Sequence, residues 1–263
     1  MINECQLVGK GTYGRVYRAS VDTNHCTRGI AVKWSSRTVS GKYDANYDYW
    51  LKKVQRELSI MRILNQTGHN KQTQESGSSN SRFFERTSVS LINVYLLNVL
   101  TENPNEKQMH MFQLLEFFPR NLEQFLFELE EKMQITNQIV HFIMHEVCHG
   151  LYHLHSLGII HRDLSDDNIL VSWDVNSPTS SRIVISDYGQ ARFLNETFST
   201  TDSNATPEQI AEAYLKSFSN KRAMEPSEVQ FTAPSNVGKI HYRPPEGLSP
   251  YRVVLEKKSN RQQ

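Results

Sequence analysis

The sequence has no long hydrophobic run, almost no net charge and very little cysteine. No apolar stretch approaches the ~20 residues needed to cross a bilayer, so no helical membrane span is expected. A net charge of +1 gives no reason for bulk attraction to nucleic acid or to an anionic membrane. Met1-Ile2-Asn3-Glu4-Cys5 has neither a basic region nor an apolar core, so no secretory signal is expected. The 3 cysteines, Cys5, Cys26 and Cys148, are too far apart for a metal motif or a disulfide framework. That fits a reducing compartment, and Asn-x-Thr triplets at Asn65, Asn195 and Asn204 are then read as chance. No basic cluster forms a nuclear import signal, since Lys257-Lys258 is too short. What is present is ordinary for a soluble globular protein: 38% hydrophobic and 22% charged over 263 residues, enough for one large or two-lobed domain.

The pattern along the chain changes once. Gln6-Leu7-Val8, Arg15–Ala19 and Gly29–Lys33 read as short strands. Tyr47–Leu64 turns helical, with Leu51, Val54, Leu58 and Met61 near i, i+3 and i+4 spacing. A polar, low-complexity insert occupies about 65–88 and is too poor in apolar residues to bury a face. Val89–Leu100 and Met109–Leu115 read as strands, and Asn121–Glu131 and Thr136–Leu157 as helices. The second of these places Ile139, Phe142, Ile143, Val147, Leu151 and Leu154 on one side. Two short hydrophobic strands follow at Ile169–Val171 and Arg182–Ile185. Asn195–Val237 is rich in Ser, Thr, Asn and Pro and reads as mostly loop. Strands segregated from helices predict an α+β fold rather than a doubly wound sheet.

Four groups of residues carry chemistry. Val8 leads into Gly9-Lys10-Gly11-Thr12-Tyr13-Gly14-Arg15-Val16, a glycine loop whose backbone N–H groups can approach phosphate oxygens. A plain hairpin turn can look the same. β-branched and aromatic residues after Gly14 predict strand–loop–strand rather than a dinucleotide-binding strand–loop–helix. Lys33, on the apolar strand Ile30-Ala31-Val32-Lys33, would neutralise α and β phosphates if a carboxylate held it. Glu57 on the predicted helix is the candidate. His161-Arg162-Asp163-Leu164-Ser165-Asp166-Asp167-Asn168 and the downstream Asp187-Tyr188-Gly189 form the most specific signal. Asp163 would orient the proton of an attacking hydroxyl, while Asn168 and Asp187 would hold Mg²⁺ across the phosphates. Asp166 and Asp167 receive no role. His141, His145, His149 and His153 recur every four residues on the long helix. Such a pair can bind zinc, but no carboxylate or cysteine completes a site, and they read as one flank of an amphipathic helix.

Over roughly residues 3–250 the chain resembles the eukaryotic protein kinase family, and most closely its cyclin-dependent branch in the CMGC group. The residues that carry this are Val8–Ala19, the hinge-like Leu114–Leu122 and Tyr242-Arg243-Pro244-Pro245-Glu246. Ser172–Ser181 and Val89-Ser90-Leu91 resemble the Mediator-associated members. The resemblance implies a β-rich N-lobe over 1–117, an incomplete helical C-lobe over 118–263, and ATP with Mg²⁺ as cofactors. It implies that Val16, Ala31 and Leu170 sandwich adenine, that Leu115 is the gatekeeper, and that backbone groups of Glu116 and Phe118 meet the adenine edge. Arg56, Arg162 and Arg192 match three arginines that form a basic pocket under the activation segment. A protein substrate, a cyclin-like subunit and a nuclear or cytoplasmic location are implied as well, with no direct contact to nucleic acid or membrane.

Three departures separate the chain from that family. Ser165 stands where the branch has a lysine beside the transferred phosphate, and Lys239 where it has a threonine bracing the catalytic aspartate. The segment from Asp187 to Glu246 is far longer than usual and Ser/Thr-rich from about Asn195. The sequence also stops soon after Glu246, which implies uncovered apolar surface on the long helix. Two functions therefore remain open: a serine/threonine kinase, or a truncated, catalytically weak module that holds nucleotide or a cyclin-like partner. A fragment of a longer kinase would read the same way.

Overall fold

The computed structural model describes residues 2–11, 14–22, 27–40, 45–70, 87–101, 106–174, 180–193, 205–219 and 238–242. The cores of the polar insert, the Ser/Thr-rich segment, the glycine-loop tip, Cys26 and the tail from residue 243 lie outside these.

The first part is one antiparallel sheet. Strands β1 (Ile2–Gly11), β2 (Gly14–Asp22), β3 (Thr27–Ser40), β4 (Leu91–Leu100) and β5 (Glu106–Glu116) are ordered β1-β2-β3-β5-β4. β1 and β2 form the strand–loop–strand expected around the glycines, with Gly11 opposite Gly14. β3 runs well past Lys33, because Trp34, Thr38 and Val39 suit a pleated surface and pair with β5 as far as Ser40↔Glu106. Helix α1 (Ala45–Asn70) crosses behind the sheet and buries Val54, Leu58, Met61, Ile63 and Leu64, as its spacing predicts. It extends beyond Leu64 into the polar insert. Asn65 holds it there, its Nδ2 donating to the Leu91 carbonyl at 2.7 Å, and Thr67 Oγ1 donates to the Ile63 carbonyl at 2.9 Å.

The second part is helical with short hairpins. It comprises β6 (Arg120–Asn121), α2 (Leu122–Glu131), α3 (Asn137–Ser156), β7 (Ile159–Ile160), β8 (Ile169–Ser172), β9 (Arg182–Ile185), β10 (Arg192–Phe193) and α4 (Pro207–Ser219). β6, β8 and β9 form one small sheet, and β7 pairs with β10. Asn121 caps α2 in a capping box with Gln124, and Thr136 caps α3. Ile143 and Leu154 of α3 are buried, while Val140, Met144 and Tyr152 are exposed, so apolar surface is uncovered on this helix. No helix among the described residues is long and apolar enough to cross a membrane.

α4 corrects the expectation of loop between Asn195 and Val237. Thr206 and Gln209 cap each other reciprocally, Pro207 occupies the first helical position, and Ile210, Ala211 and Tyr214 form the buried stripe. The helix packs on α1 through Arg62–Glu208 at 3.1 Å. Tyr214 stacks on Phe193 at 4.2 Å and donates its hydroxyl to the Leu157 carbonyl at 2.7 Å. Burial pushes that phenol up to about 12.

Gly150 is where α3 meets β9. A Cβ there would lie 2.9 Å from Ile185 Cδ1 and 3.3 Å from the Thr87 carbonyl oxygen. Gly150→Ala gains helix propensity but crowds the buried Ile185 side chain and the Thr87 carbonyl oxygen, and the crowding outweighs the gain. We expect a net loss of about 1–2 kcal/mol, read by calorimetry as a melting temperature lower by roughly 2–8 °C.

Candidate active site

Pleating places alternate β3 residues on the face toward α1, so Ala31, Lys33 and Ser35 share that side. Val16 and Gln113 lie directly opposite Lys33, and Leu115 opposite Ala31, so they occupy the same face. Lys33 Nζ donates to Glu57 Oε1 at 2.8 Å and to Asp187 Oδ1 at 3.0 Å. These groups come from a strand, a helix and a distant turn. Lys33 and Glu57 keep only 12% and 8% of their side chains exposed, whereas Asp187 keeps 34%. Burial alone would lower the lysine pKa, but Glu57 and then Asp187 outweigh it and hold the ammonium well above its ordinary value. Lys33 in turn holds the Asp187 carboxyl below the usual range, against the opposing effect of burial.

Asp187 sits in the left-handed region at φ 60°, where its side chain accepts the Gly189 N–H at 3.3 Å. Arg162 is similar at φ 69°. Two of the three positive-φ non-glycine residues among the described ones therefore flank this site. Tyr188 fills the core beneath it, 1% exposed, with its hydroxyl donating to the Ile185 carbonyl at 2.9 Å.

The loop from His161 to Asn168 is fixed from within. His161 Nε2 lies 2.9 Å from the Ser186 carbonyl, which can only accept, so that nitrogen carries the proton. Nδ1 then accepts the Asp163 N–H at 3.3 Å. The ring is neutral, consistent with burial lowering its pKa. Asn168 Nδ2 donates to the Asp163 carbonyl at 2.7 Å, and the Asn168 carbonyl receives the Ser186 N–H at 2.8 Å. The His161 ring and the Asn168 amide, bonded to the main chain, thus carry the loop, and the Asp163 carboxylate takes part in none of these bonds. Gly238, at φ 83°, packs against this turn. A Cβ there would approach the Arg162 carbonyl oxygen to 3.0 Å and Asp163 Oδ1 to 3.3 Å.

The two altered positions have definite places. Ser165 is 2% exposed, and its Oγ has no hydrogen-bond partner among the described residues. Lys239 pairs with Asp167 rather than Asp163, and Asn121 Nδ2 also donates to Asp167, at 3.2 Å. Asp167, given no role from sequence, therefore anchors the 238–242 segment and α2 to the loop. A carboxylate beside Asn168 was the only sequence signal for it.

Other candidates are dispersed. Gly14 fits against β3 where any Cβ would lie 2.3 Å from the Trp34 carbonyl oxygen, which requires glycine. Gly9 and Gly11 are in β1, and Val8 is about half exposed. Leu170 on β8 is half-buried against the main core. The Glu116 N–H is taken by the Ser90 carbonyl at 3.0 Å, its carboxylate pairs with Arg182, and Phe118 is buried beneath Arg182. Arg192 pairs opposite Ile160, close in sequence to Arg162, and Arg56 adjoins Glu57 on α1. His153 turns both ring nitrogens to Thr67 and Thr87, at 3.0 and 2.8 Å, while His145 stacks on His149.

The model of the protein kinase domain family matches residues 2–225. The probable serine/threonine-protein kinase glkA of Dictyostelium discoideum is 24% identical over 187 residues, covering 71% of this chain and 29% of that protein. The meiosis-specific serine/threonine-protein kinase mek1 of Schizosaccharomyces pombe is 31% identical over 137 residues, covering 51% of this chain and 29% of its own length. The stress-activated protein kinase JNK of Drosophila melanogaster is 33% identical over 107 residues, 40% of this chain and 26% of that one. The chain spans less than a third of the length of each of these curated relatives.

Proposed function

Since the chain belongs to the protein kinase domain family, we propose that it transfers the γ-phosphoryl group of ATP to a serine or threonine hydroxyl of a protein. One observation carries this reading: Lys33 bridges Glu57 and Asp187 across three distant segments, beside the loop bearing Asp163 and Asn168. Lys33, held by Glu57, meets the α and β phosphates, and the glycines of β1 and β2 let backbone N–H groups approach them. Val16, Ala31 and Leu170 would sandwich adenine, Leu115 would be the gatekeeper, and backbone groups of Glu116 and Phe118 would meet its edge. Asp163 orients the attacking hydroxyl and receives its proton.

Asn168 and Asp187 fit a magnesium ion. The Asn168 amide nitrogen is committed to the Asp163 carbonyl, which leaves Oδ1 as acceptor, and oxygen donors suit a hard cation. Bound Mg²⁺ would neutralise charge across the phosphates.

The finer placement rests on the glycine-loop and hinge residues quoted above. On that basis we assign a cyclin-dependent type, a cyclin-like subunit, a nuclear or cytoplasmic location, and lobes dividing at 117/118. Arg56, Arg162 and Arg192 would receive an activating phosphate.

Ser165 and Lys239 favour a second reading, a nucleotide-holding module without transfer, because Lys239 pairs with Asp167 and serine replaces the usual lysine. Transfer of label from γ-labelled ATP to mixed Ser/Thr peptides decides between the two. Incorporation that falls by roughly 100-fold or more in Asp187→Ala supports the kinase. Thermal stabilisation by ATP and Mg²⁺ with no incorporation selects the module.

A further inference from the structure

β4 closes the sheet order β1-β2-β3-β5-β4, and among the described residues no strand lies beyond it. Its 10 residues, Leu91–Leu100, include no charge and no proline. A strand paired on one side sends half of its N–H and C=O groups outward, and soluble proteins guard such an edge with lysine, proline or a bulge. Here the guards cover only the start. The register shifts between Leu91 and Asn93, Asn65 Nδ2 donates to the Leu91 carbonyl, and the Val94 N–H is taken by Asn93 Oδ1 at 2.8 Å. From Tyr95 to Leu100 the ladder with β5 is regular. Both faces are apolar there. Tyr95 and Leu97 lie opposite Phe112 and His110 on one face, and Leu96 lies opposite the buried Met111 on the other. Tyr95, Leu96 and Leu97 are nevertheless 54%, 55% and 53% exposed. A strand with one wet face alternates apolar and polar residues, whereas one that is apolar on both faces suits the interior of a sheet.

We infer that β4 pairs antiparallel with β4 of a second copy of this chain, joining the two sheets into one across a two-fold axis. The axis stands normal to the sheet, because only that direction makes the two neighbouring strands antiparallel. It keeps each face on its own side, so Tyr95 and Leu97 meet the same apolar row of the second copy, and Leu96 meets its own row on the other face. The strand suits its own copy: without charge it neither repels that copy nor selects a partner of opposite sign. The surface left on Tyr95, Leu96, Leu97 and Val99, with the outward backbone, gives a contact on the order of 1,000 Å² over both copies, the lower limit for a specific interface. A contact of that size makes a reversible dimer, half formed at roughly 1–100 µM. The pairing requires no phosphoryl transfer by this chain.

Sedimentation velocity of the full chain over roughly 1–200 µM is expected to show a monomer–dimer equilibrium. Leu96→Lys and Leu97→Lys place a charge on opposite faces of the strand. Each is expected to weaken dimerisation by roughly tenfold or more, because like charges meet across the new ladder. Both sites are half-exposed, so melting temperatures at a concentration where the wild type is monomeric should agree within about 3 °C, which separates loss of pairing from loss of fold. Val140→Lys/Met144→Lys, on the uncovered surface of α3, controls for general hydrophobic association and should leave the dimer intact. A wild type that stays monomeric throughout, a dimer that survives both β4 substitutions, or one lost in the α3 pair would overturn the pairing. Loss in only one of the two β4 variants would overturn it as well, since that outcome reports packing of one sheet face rather than of the strand edge.

Discussion

Asp163→Asn is expected to lower phosphoryl transfer by roughly 10²–10⁴-fold while leaving ATP affinity within about threefold and the fold intact. The side chain is the only part of Asp163 that the loop does not use: its N–H goes to His161 Nδ1 and its carbonyl receives Asn168 Nδ2. Asparagine keeps the shape and both main-chain bonds, so it removes proton acceptance alone. Glu57, Lys33 and Asp187 remain in place to hold phosphates, which is why binding should survive. Single-turnover transfer from labelled ATP measures the first quantity and a nucleotide-analogue titration the second. Equal transfer by both proteins would remove Asp163 from the reaction. A parallel collapse of binding would mean that the carboxylate holds the nucleotide site together, contrary to the bonding seen around it.

Legibility in the sequence followed spacing. Lys33, Glu57, Asp163, Asn168 and Asp187 sit in motifs whose order and residue types demand one another, and the geometry brings Lys33, Glu57 and Asp187 into contact. The α+β organisation was legible from period-2 runs followed by period-3.6 runs. α4 was hidden because its surroundings are rich in Ser, Thr and Pro, yet Thr206-Pro207-Glu208-Gln209 carried a capping box and an N1 proline. Composition averaged over a long stretch masked a local signal. The pairing of Lys239 with Asp167 was unreadable for another reason: it joins positions far apart in sequence with no periodic relation, and only the fold of the 238–242 segment over the loop creates it.

Lys33→Met is expected to abolish nucleotide binding and to destabilise the chain by about 3–5 kcal/mol near pH 7, the usual cost of breaking a buried ion pair on one side. Glu57 is almost fully buried, and losing its cation leaves its charge uncompensated. Asp187 contributes less, because a third of its side chain meets solvent and screening limits its share. The cost should depend on pH in a defined direction. In the wild type the Asp187 pKa is depressed chiefly by Lys33, so its contribution is present above the ordinary aspartate value of ~3.9 and fades as pH falls through the depressed value. Lys33 itself is raised, so its contribution is present below ~10.5 and is lost only at still higher pH. The wild type therefore keeps both contributions across neutral pH. Removing Lys33 removes the main cause of the Asp187 depression and leaves burial, which acts oppositely. The difference between variant and wild type should then be widest near neutrality and narrow as pH falls below about 4. Urea unfolding at pH 7 and at pH 3.5–4 measures it. A difference that stays constant or grows toward acid would show that Lys33 supports this chain through packing of its alkyl stem rather than by compensating Glu57 and Asp187.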